Sequence, residues 1–169
     1  YYVYSRKKEV EAERKIAHAL SIEPPESKVS LLKEVTEQYR GTAGAARGLY
    51  YLGNAYYDAG QYDLARSCYE QYLRKRERRF APHAIEGLAY VAESEGKLDE
   101  AIEQCRKLAE RFPDNYLAEH AWYTVGRCYE LTGRVSEAIE AYEQQVSSYP
   151  GSAWTDRAES RLAELRARI

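Results

Sequence analysis

The chain has 169 residues, of which 44% are hydrophobic and 31% charged, and its net charge is −2. This composition excludes a disordered chain, and the length suits one domain or one short solenoid. Because the charge is balanced, we expect no binding to nucleic acid, which would need a local basic stripe.

The first residues form an aromatic cluster, Tyr1 to Tyr4, followed by a basic one, Arg6 to Lys8. Such a composition is typical of the point where a transmembrane helix leaves the bilayer, which would place a membrane anchor upstream of Tyr1. An ordinary helix start explains the same residues, and both interpretations stay open. The chain contains no Met, so we expect the natural start to be missing or processed away.

Apolar residues recur three and four positions apart and predict an all-α chain. Residues 1–42 are expected to form a helical hairpin, with helices from about Val3 to Leu20 and from about Ser27 to Tyr39, separated by a proline pair. The first helix is predicted to bury a stripe made of Val10, Ile16, Ala17 and Leu20.

A block of about 36 residues then recurs three times, at about 43–80, 81–114 and 115–151. Each block is predicted to be a helix, a glycine turn and a second helix. Self-similarity at this period indicates stacked hairpins that each contact mainly their neighbours. The final segment, 152–169, places apolar residues on one face and predicts a capping helix. These residues are Trp154, Ala158, Leu162, Leu165 and Ile169.

Two local features follow from the repeats. An acidic or hydroxyl residue stands just after each turn and is expected to cap the second helix with its side chain. These residues are Asp63, Asp99 and Ser136. The basic run Arg74 to Arg79 lacks a proline, so the second helix of the first block is expected to run on towards Ala81.

The repeated small, aromatic and apolar residues resemble the tetratricopeptide repeat. The matching residues are Leu49, Leu52, Gly53, Tyr56, Ala65 and Tyr69, then Ile85, Leu88, Ala89, Ala101 and Pro113, then Trp122, Gly126, Tyr129, Ala138, Tyr142 and Pro150. The resemblance implies a right-handed α-solenoid of helix-turn-helix repeats closed by the C-terminal capping helix. The long period and the Tyr-Pro-Gly-Ser junction look like a branch found in bacterial envelope proteins such as BamD, YbgF and YfgM.

In that family, first-helix residues beside the packing stripe line a concave groove. The groove is predicted to present Arg47, Tyr50, Tyr51, Asn54, Tyr57, Asp58, His83, Glu86, Tyr90, Glu93, His120, Tyr123, Arg127 and Glu130. Five tyrosines there exceed what the repeat motif requires, and tyrosine suits binding surfaces because it combines apolar area with a hydroxyl. Packing of these tyrosines among neighbouring helices is the alternative.

The sequence shows no sign of catalytic or cofactor chemistry. The chain has no nucleophile elbow, phosphate-binding loop or metal motif, which predicts a non-enzymatic protein without a cofactor. His83 and His120 share one repeat position, but no third ligand accompanies them. The cysteines are Cys68, Cys105 and Cys128, and their spacing predicts buried thiols rather than a disulfide framework; a contact between Cys105 and Cys128 stays open.

Two functional hypotheses remain. The first is a scaffold that binds a protein or peptide partner in the groove, placed on the extracytoplasmic face of a bacterial membrane; a cytoplasmic location is the alternative. The second is a structural subunit that uses its terminal helices to pack against copies of itself or a larger assembly.

Overall fold

The computed structural model describes the backbone of residues 2–168 and the side chains of residues 4–168. Tyr1, predicted to follow an anchor, and Ile169, the last residue of the predicted capping stripe, lie outside the described residues. Residues 2–168 contain helices and no strand, which confirms the all-α prediction. The helices are α1 (Tyr2–Ser21), α2 (Pro25–Gln38), α3 (Ala43–Asp58), α4 (Tyr62–Leu73), α5 (Ala81–Ser94), α6 (Leu98–Arg111), a 3-10 helix (Tyr116–His120), α7 (Ala121–Leu131), α8 (Val135–Ser148) and α9 (Ala153–Arg166).

The chain divides into two compact units, residues 1–87 and residues 88–169. In the first unit, α1 to α4 pack in succession, and α1 also contacts α3. In the second unit, α6 to α9 pack in succession, and α9 also contacts α7. The boundary between the units falls inside α5.

The stripe that α1 buries differs from the predicted one. Ala12, Ile16 and Ala19 are buried, whereas Val10 and Leu20 are 62% and 44% exposed; the predicted Ala17 is exposed as well. A Cβ added at Gly44 of α3 would lie 2.6 Å from the Ala12 Cβ. Helices that approach this closely must meet through small residues, which explains why alanine occupies the buried position 12 opposite Gly44.

The three hairpin turns share one backbone geometry, with Gly60, Gly96 and Gly133 at φ of 70°, 72° and 74°. This left-handed conformation favours glycine. The predicted side-chain caps at Asp63, Asp99 and Ser136 are wrong. Each helix begins earlier than predicted, with Gln61, Lys97 and Arg134 at the N-cap and no side-chain cap hydrogen bond there. The predicted residues therefore lie within the first helical turn.

The predicted extension of α4 is also wrong, because the helix ends at Leu73. The Tyr72 hydroxyl donates to the Glu77 carboxylate and accepts from the Phe80 backbone N–H at 2.7 Å. Arg78 donates to the carbonyl oxygen of Leu73 at 2.7 Å. These hydrogen bonds provide a partner for the carbonyl group of Leu73 at the end of α4 and hold the loop that leads to α5.

Tyrosines fill the spaces beside small residues in both units. Tyr69 lies between Gly53 and Gly87, where an added Cβ at either position would approach its ring to 2.6 Å. Tyr142 lies in the same way against Gly126, also with a separation of 2.6 Å. The repeat's glycines are therefore required by close packing of a ring against a helix backbone.

The three cysteines are buried, and none forms a disulfide in the part of the chain that the structure describes. Among the helices of residues 2–168, none has the length and apolar character needed to span a membrane.

Candidate functional site

The residues predicted to line a binding surface coincide with the incompletely buried stripe of each first helix. All fourteen are partly or fully exposed, whereas the positions around them are largely buried. The pattern is clearest on α5, where His83, Glu86, Tyr90 and Glu93 break an otherwise buried run from 81 to 93. We call this set of fourteen residues the first-helix stripe. The two units contribute eight and six of its residues, and each is described in turn.

In the first unit, an aromatic cluster surrounds Tyr50. Its ring stacks on Phe80, with centroids 4.6 Å apart and planes at 17°. Tyr51 and His83 meet the same Phe80 ring edge-on, at 5.5 and 5.8 Å. Tyr51 also packs against the buried core of α1 and α2. These rings therefore form a partly exposed platform in which Tyr50 and Tyr51 also have packing roles.

Phe80 is the residue of this cluster that sequence reasoning missed. It lies in the loop before α5, outside any repeat motif, and is fixed because its N–H donates to the buried Tyr72 hydroxyl. Burial and the neighbouring Glu77 carboxylate raise the pKa of Tyr72, so its hydroxyl stays protonated. The chain has only two phenylalanines, and this rarity was the feature of the sequence that could have pointed to Phe80.

Arg47 is held by α1 rather than directed at an open surface. Its Nη2 donates to Glu9 Oε1 at 2.7 Å and its Nε donates to Glu13 Oε1 at 2.8 Å. The same Glu9 carboxylate accepts from the backbone N–H groups of Ala43 and Gly44 at 2.9 and 2.7 Å. A carboxylate at a helix N-terminus is stabilising, so this network joins the start of α3 to α1.

The remaining polar residues of the first unit are arranged around α3. Asn54 Oδ1 accepts from the hydroxyl of the buried Tyr69 at 2.8 Å, which orients its amide. The ring of Tyr57 lies 5.6 Å from that of Tyr62 at the start of α4. Asp58 is exposed at the end of α3, and Glu86 is half-buried on α5.

In the second unit, Trp154 of α9 organises the aromatic residues. Its ring lies 5.3 Å from Tyr123 and 5.4 Å from His120. Tyr123 is also 5.5 Å from Tyr142. The capping helix therefore supplies part of this surface, a role that its sequence did not indicate. Tyr90 is the most exposed tyrosine of the stripe, at 43%.

A buried glutamine supports this cluster. Gln145 of α8 is fully buried, and its Oε1 accepts from the Tyr123 N–H at 3.1 Å. Its Nε2 donates to the Glu119 carbonyl oxygen at 2.6 Å. Sequence reasoning missed Gln145, because a single polar residue on an amphipathic helix gives no sign that it is buried.

The charged residues of the stripe in this unit form ion pairs. Arg127 pairs with Glu93, which joins α7 to α5. Glu130 accepts from Arg161 of α9 and from the Tyr142 hydroxyl. The hydrogen bond from Arg161 lowers the pKa of Glu130, so this carboxylate stays charged well below neutral pH. The surface is thus a set of oriented donors, acceptors and rings.

The two histidines of the stripe each belong to an aromatic cluster, His83 in the first unit and His120 in the second. Across the residues that the structure describes, no group of three or more His, Cys, Asp or Glu is arranged to hold a metal ion.

Comparison with known proteins identifies the repeats. Two family models, both described as tetratricopeptide repeat, match residues 50–116 and 92–169. Residues 50–169 are tetratricopeptide repeats. This confirms the predicted repeat class, and the matched range extends through the capping helix.

Solved structures support the same tetratricopeptide fold. MamA from Desulfovibrio magneticus RS-1 superposes with a TM-score of 0.70 at 20% identity, covering 95% of this chain and 85% of that one. A tetratricopeptide repeat protein from Parabacteroides merdae gives a TM-score of 0.76 at 16% identity, covering 96% and 61%. At these identities the likeness shows the fold alone.

A human protein also aligns with part of the chain. Protein O-mannosyl-transferase TMTC2 is 34% identical over 109 residues, which is 60% of this chain and 12% of that protein. The chain therefore spans about an eighth of that relative.

Proposed function

We propose that this chain is a non-enzymatic interaction module whose first-helix stripe binds a segment of a partner protein. Tetratricopeptide repeats generally mediate protein–protein interactions, and stacked helical repeats present extended surfaces suited to that task. The observation that carries the proposal is the exposure of the stripe: tyrosines and charged residues remain accessible on helices whose other faces are buried. Catalysis is not part of the proposal, because polar groups of the stripe such as Arg47, Arg127 and Glu130 are engaged in ion pairs and hydrogen bonds.

The chemistry of the stripe favours a peptide or helix with both apolar and polar side chains. Tyr57 and Tyr90 offer ring faces with little loss of side-chain entropy on binding. Asp58, which is exposed at the end of α3, can accept hydrogen bonds from backbone N–H groups or basic side chains of a partner. A partner segment that presents an apolar anchor beside a basic or amide group therefore fits best.

The test is selection of binding peptides from a random displayed library against the immobilised chain, followed by affinity measurement on variants. The double variant Tyr57→Ala and Tyr90→Ala is expected to weaken selected peptides by at least about tenfold, because each lost aromatic contact contributes on the order of 1 kcal/mol. Tyr116→Ala is the matched control, since Tyr116 is 64% exposed and lies outside the stripe. Equal affinity of the double variant and the wild type would contradict the proposal.

Placement in a bacterial cell envelope, with a membrane anchor upstream of Tyr1, stays a proposal. Its support is the aromatic and basic composition of the first eight residues. The coding sequence upstream of Tyr1 tests it, and an upstream segment without an apolar span would contradict it.

A further inference from the structure

The capping helix α9 carries an arginine at the repeat position of the two stripe histidines. Arg157 follows His120 by 37 residues, and His120 follows His83 by the same interval. The repeat register therefore extends the first-helix stripe onto α9, the helix that ends the repeats. Because Arg157 is exposed, this extension adds an accessible cation to the stripe.

Contacts within the second unit place Arg157 beside the aromatic cluster of Trp154. The guanidinium carbon of Arg157 lies 4.6 Å from the centre of the Trp154 ring. Trp154 is in turn 5.3 Å from the Tyr123 ring and 5.4 Å from the His120 ring. A guanidinium over a tryptophan is attracted to the ring, and this contact restricts the side-chain rotamers of the arginine. Arg157 is therefore held next to the aromatic residues of the stripe.

Arg157 differs from two other arginines of this surface because their charges are already paired. Arg127 pairs with Glu93, and Arg161 pairs with Glu130. Within the part of the chain that the structure describes, Arg157 contacts an aromatic ring and forms no ion pair with a carboxylate. Its charge is therefore available to a partner, whereas binding at the paired arginines would first have to displace an internal carboxylate.

The acidic residues next to Arg157 in sequence do not face it. Asp156 is one position away and Glu159 is two positions away, and residues at these spacings lie on different sides of a helix. Trp154 lies three positions before Arg157 and Arg161 lies four positions after it, so these three residues share one side of α9. This side contacts α7, because Arg161 donates to a glutamate of that helix.

We propose that Arg157 binds a carboxylate of the partner segment, from an aspartate or glutamate that stands beside an apolar residue. A planar guanidinium presents parallel N–H groups that match the two oxygens of one carboxylate. The partly exposed Trp154 ring offers apolar area next to that contact. The inference rests on the function proposed for the first-helix stripe and assigns a specificity-determining residue to it. Asp58 of the first unit would bind a different group of the partner, one that is basic or an amide.

Peptides selected from the displayed library provide the test, because each can be made in two forms. The acidic form keeps its aspartate or glutamate, and the amide form carries asparagine or glutamine at that position. The acidic form is expected to bind Arg157→Gln about fivefold more weakly than the wild type, as for a partly exposed ion pair. The amide form should bind both chains equally, which also shows that the variant is folded.

Arg166→Gln is the matched control on the same helix. Arg166 lies on the opposite side of α9 and pairs with Glu143, so its loss should leave the affinity of both peptide forms unchanged. Salt gives a second readout, because the Debye length falls from about 10 Å at 0.1 M to about 3 Å at 1 M. The advantage of the acidic form over the amide form should shrink at the higher salt concentration, and a constant ratio would count against the ion pair.

Two outcomes separate this inference from the proposed function. If the double variant Tyr57→Ala, Tyr90→Ala weakens the selected peptides but Arg157→Gln affects both peptide forms equally, the assignment of Arg157 is overturned. Selected peptides that lack an acidic residue would overturn it as well. Peptides that bind the double variant as tightly as the wild type would contradict the function of the stripe itself, and this inference with it.

Discussion

The contact between Gly53 and Tyr69 predicts that adding one methyl group, Gly53→Ala, destabilises the first unit. The new Cβ would lie 2.6 Å from Tyr69 Cε1, closer than carbon atoms approach in folded proteins. Overpacking of this kind costs about 1–3 kcal/mol. Displacing the ring also breaks the Tyr69–Asn54 hydrogen bond, which contributes about 1 kcal/mol. Replacing glycine by alanine within a helix gains about 1 kcal/mol, so we expect a net loss of about 1–3 kcal/mol.

Urea denaturation followed by circular dichroism measures this loss. Gly48→Ala is the matched control on the same helix, because its new Cβ would lie 3.2 Å from the Thr36 methyl group, which can shift. We expect the control to stay within about 1 kcal/mol of the wild type. In a Tyr69→Leu background the ring is absent, so Gly53→Ala should lose most of its cost. The same cost in both backgrounds would refute the packing argument.

Three further predictions follow from other contacts. Glu9→Gln should lower the free energy of unfolding by about 1 kcal/mol in denaturant titrations, because it weakens the pair with Arg47 and the interaction with the start of α3; an unchanged value would contradict the network. Trp154→Ala should cost about 2–3 kcal/mol and change the near-ultraviolet signal of Tyr123, which it contacts; no change in either readout would refute the role of α9. Burial raises the pKa of the Cys68 thiol from 9.0 to about 11, so the unfolded chain ionises first and stability should fall as the pH rises through this interval. Cys68→Ala should make that fall shallower, and an identical pH profile would contradict it.

Periodicity predicted which positions of α5 are exposed better than it predicted which positions of α1 are buried. On α5 the 3.6-residue period places His83, Glu86 and Tyr90 on one side, and these are the positions that burial spares. On α1 the same reasoning selected Val10 and Leu20, because larger apolar residues are expected to be buried. The close approach of α3 at Gly44 instead places the small residue Ala12 in the buried stripe, and the sequence of a single helix carries no information about how closely its neighbour approaches.

Contacts between segments distant in sequence explain the remaining differences. The end of α4 is set by hydrogen bonds from Tyr72 to Glu77 and Phe80, which no local helix signal reveals. Trp154 was predicted to cover the last repeat, but its contacts with His120 and Tyr123 show that it also shapes the candidate surface. Sequence patterns identify which face of a helix is exposed, whereas tertiary contacts decide which exposed residues are held in place.

Binding by the first-helix stripe is tested directly by mapping amide chemical shifts when a selected peptide is added to the isotope-labelled chain. The perturbed amides are expected to lie on α3, α5 and α7, near Tyr57, Tyr90 and Tyr123, with little change on the outer positions of α2 and α8. Perturbations confined to the second helices would contradict binding by the first-helix stripe.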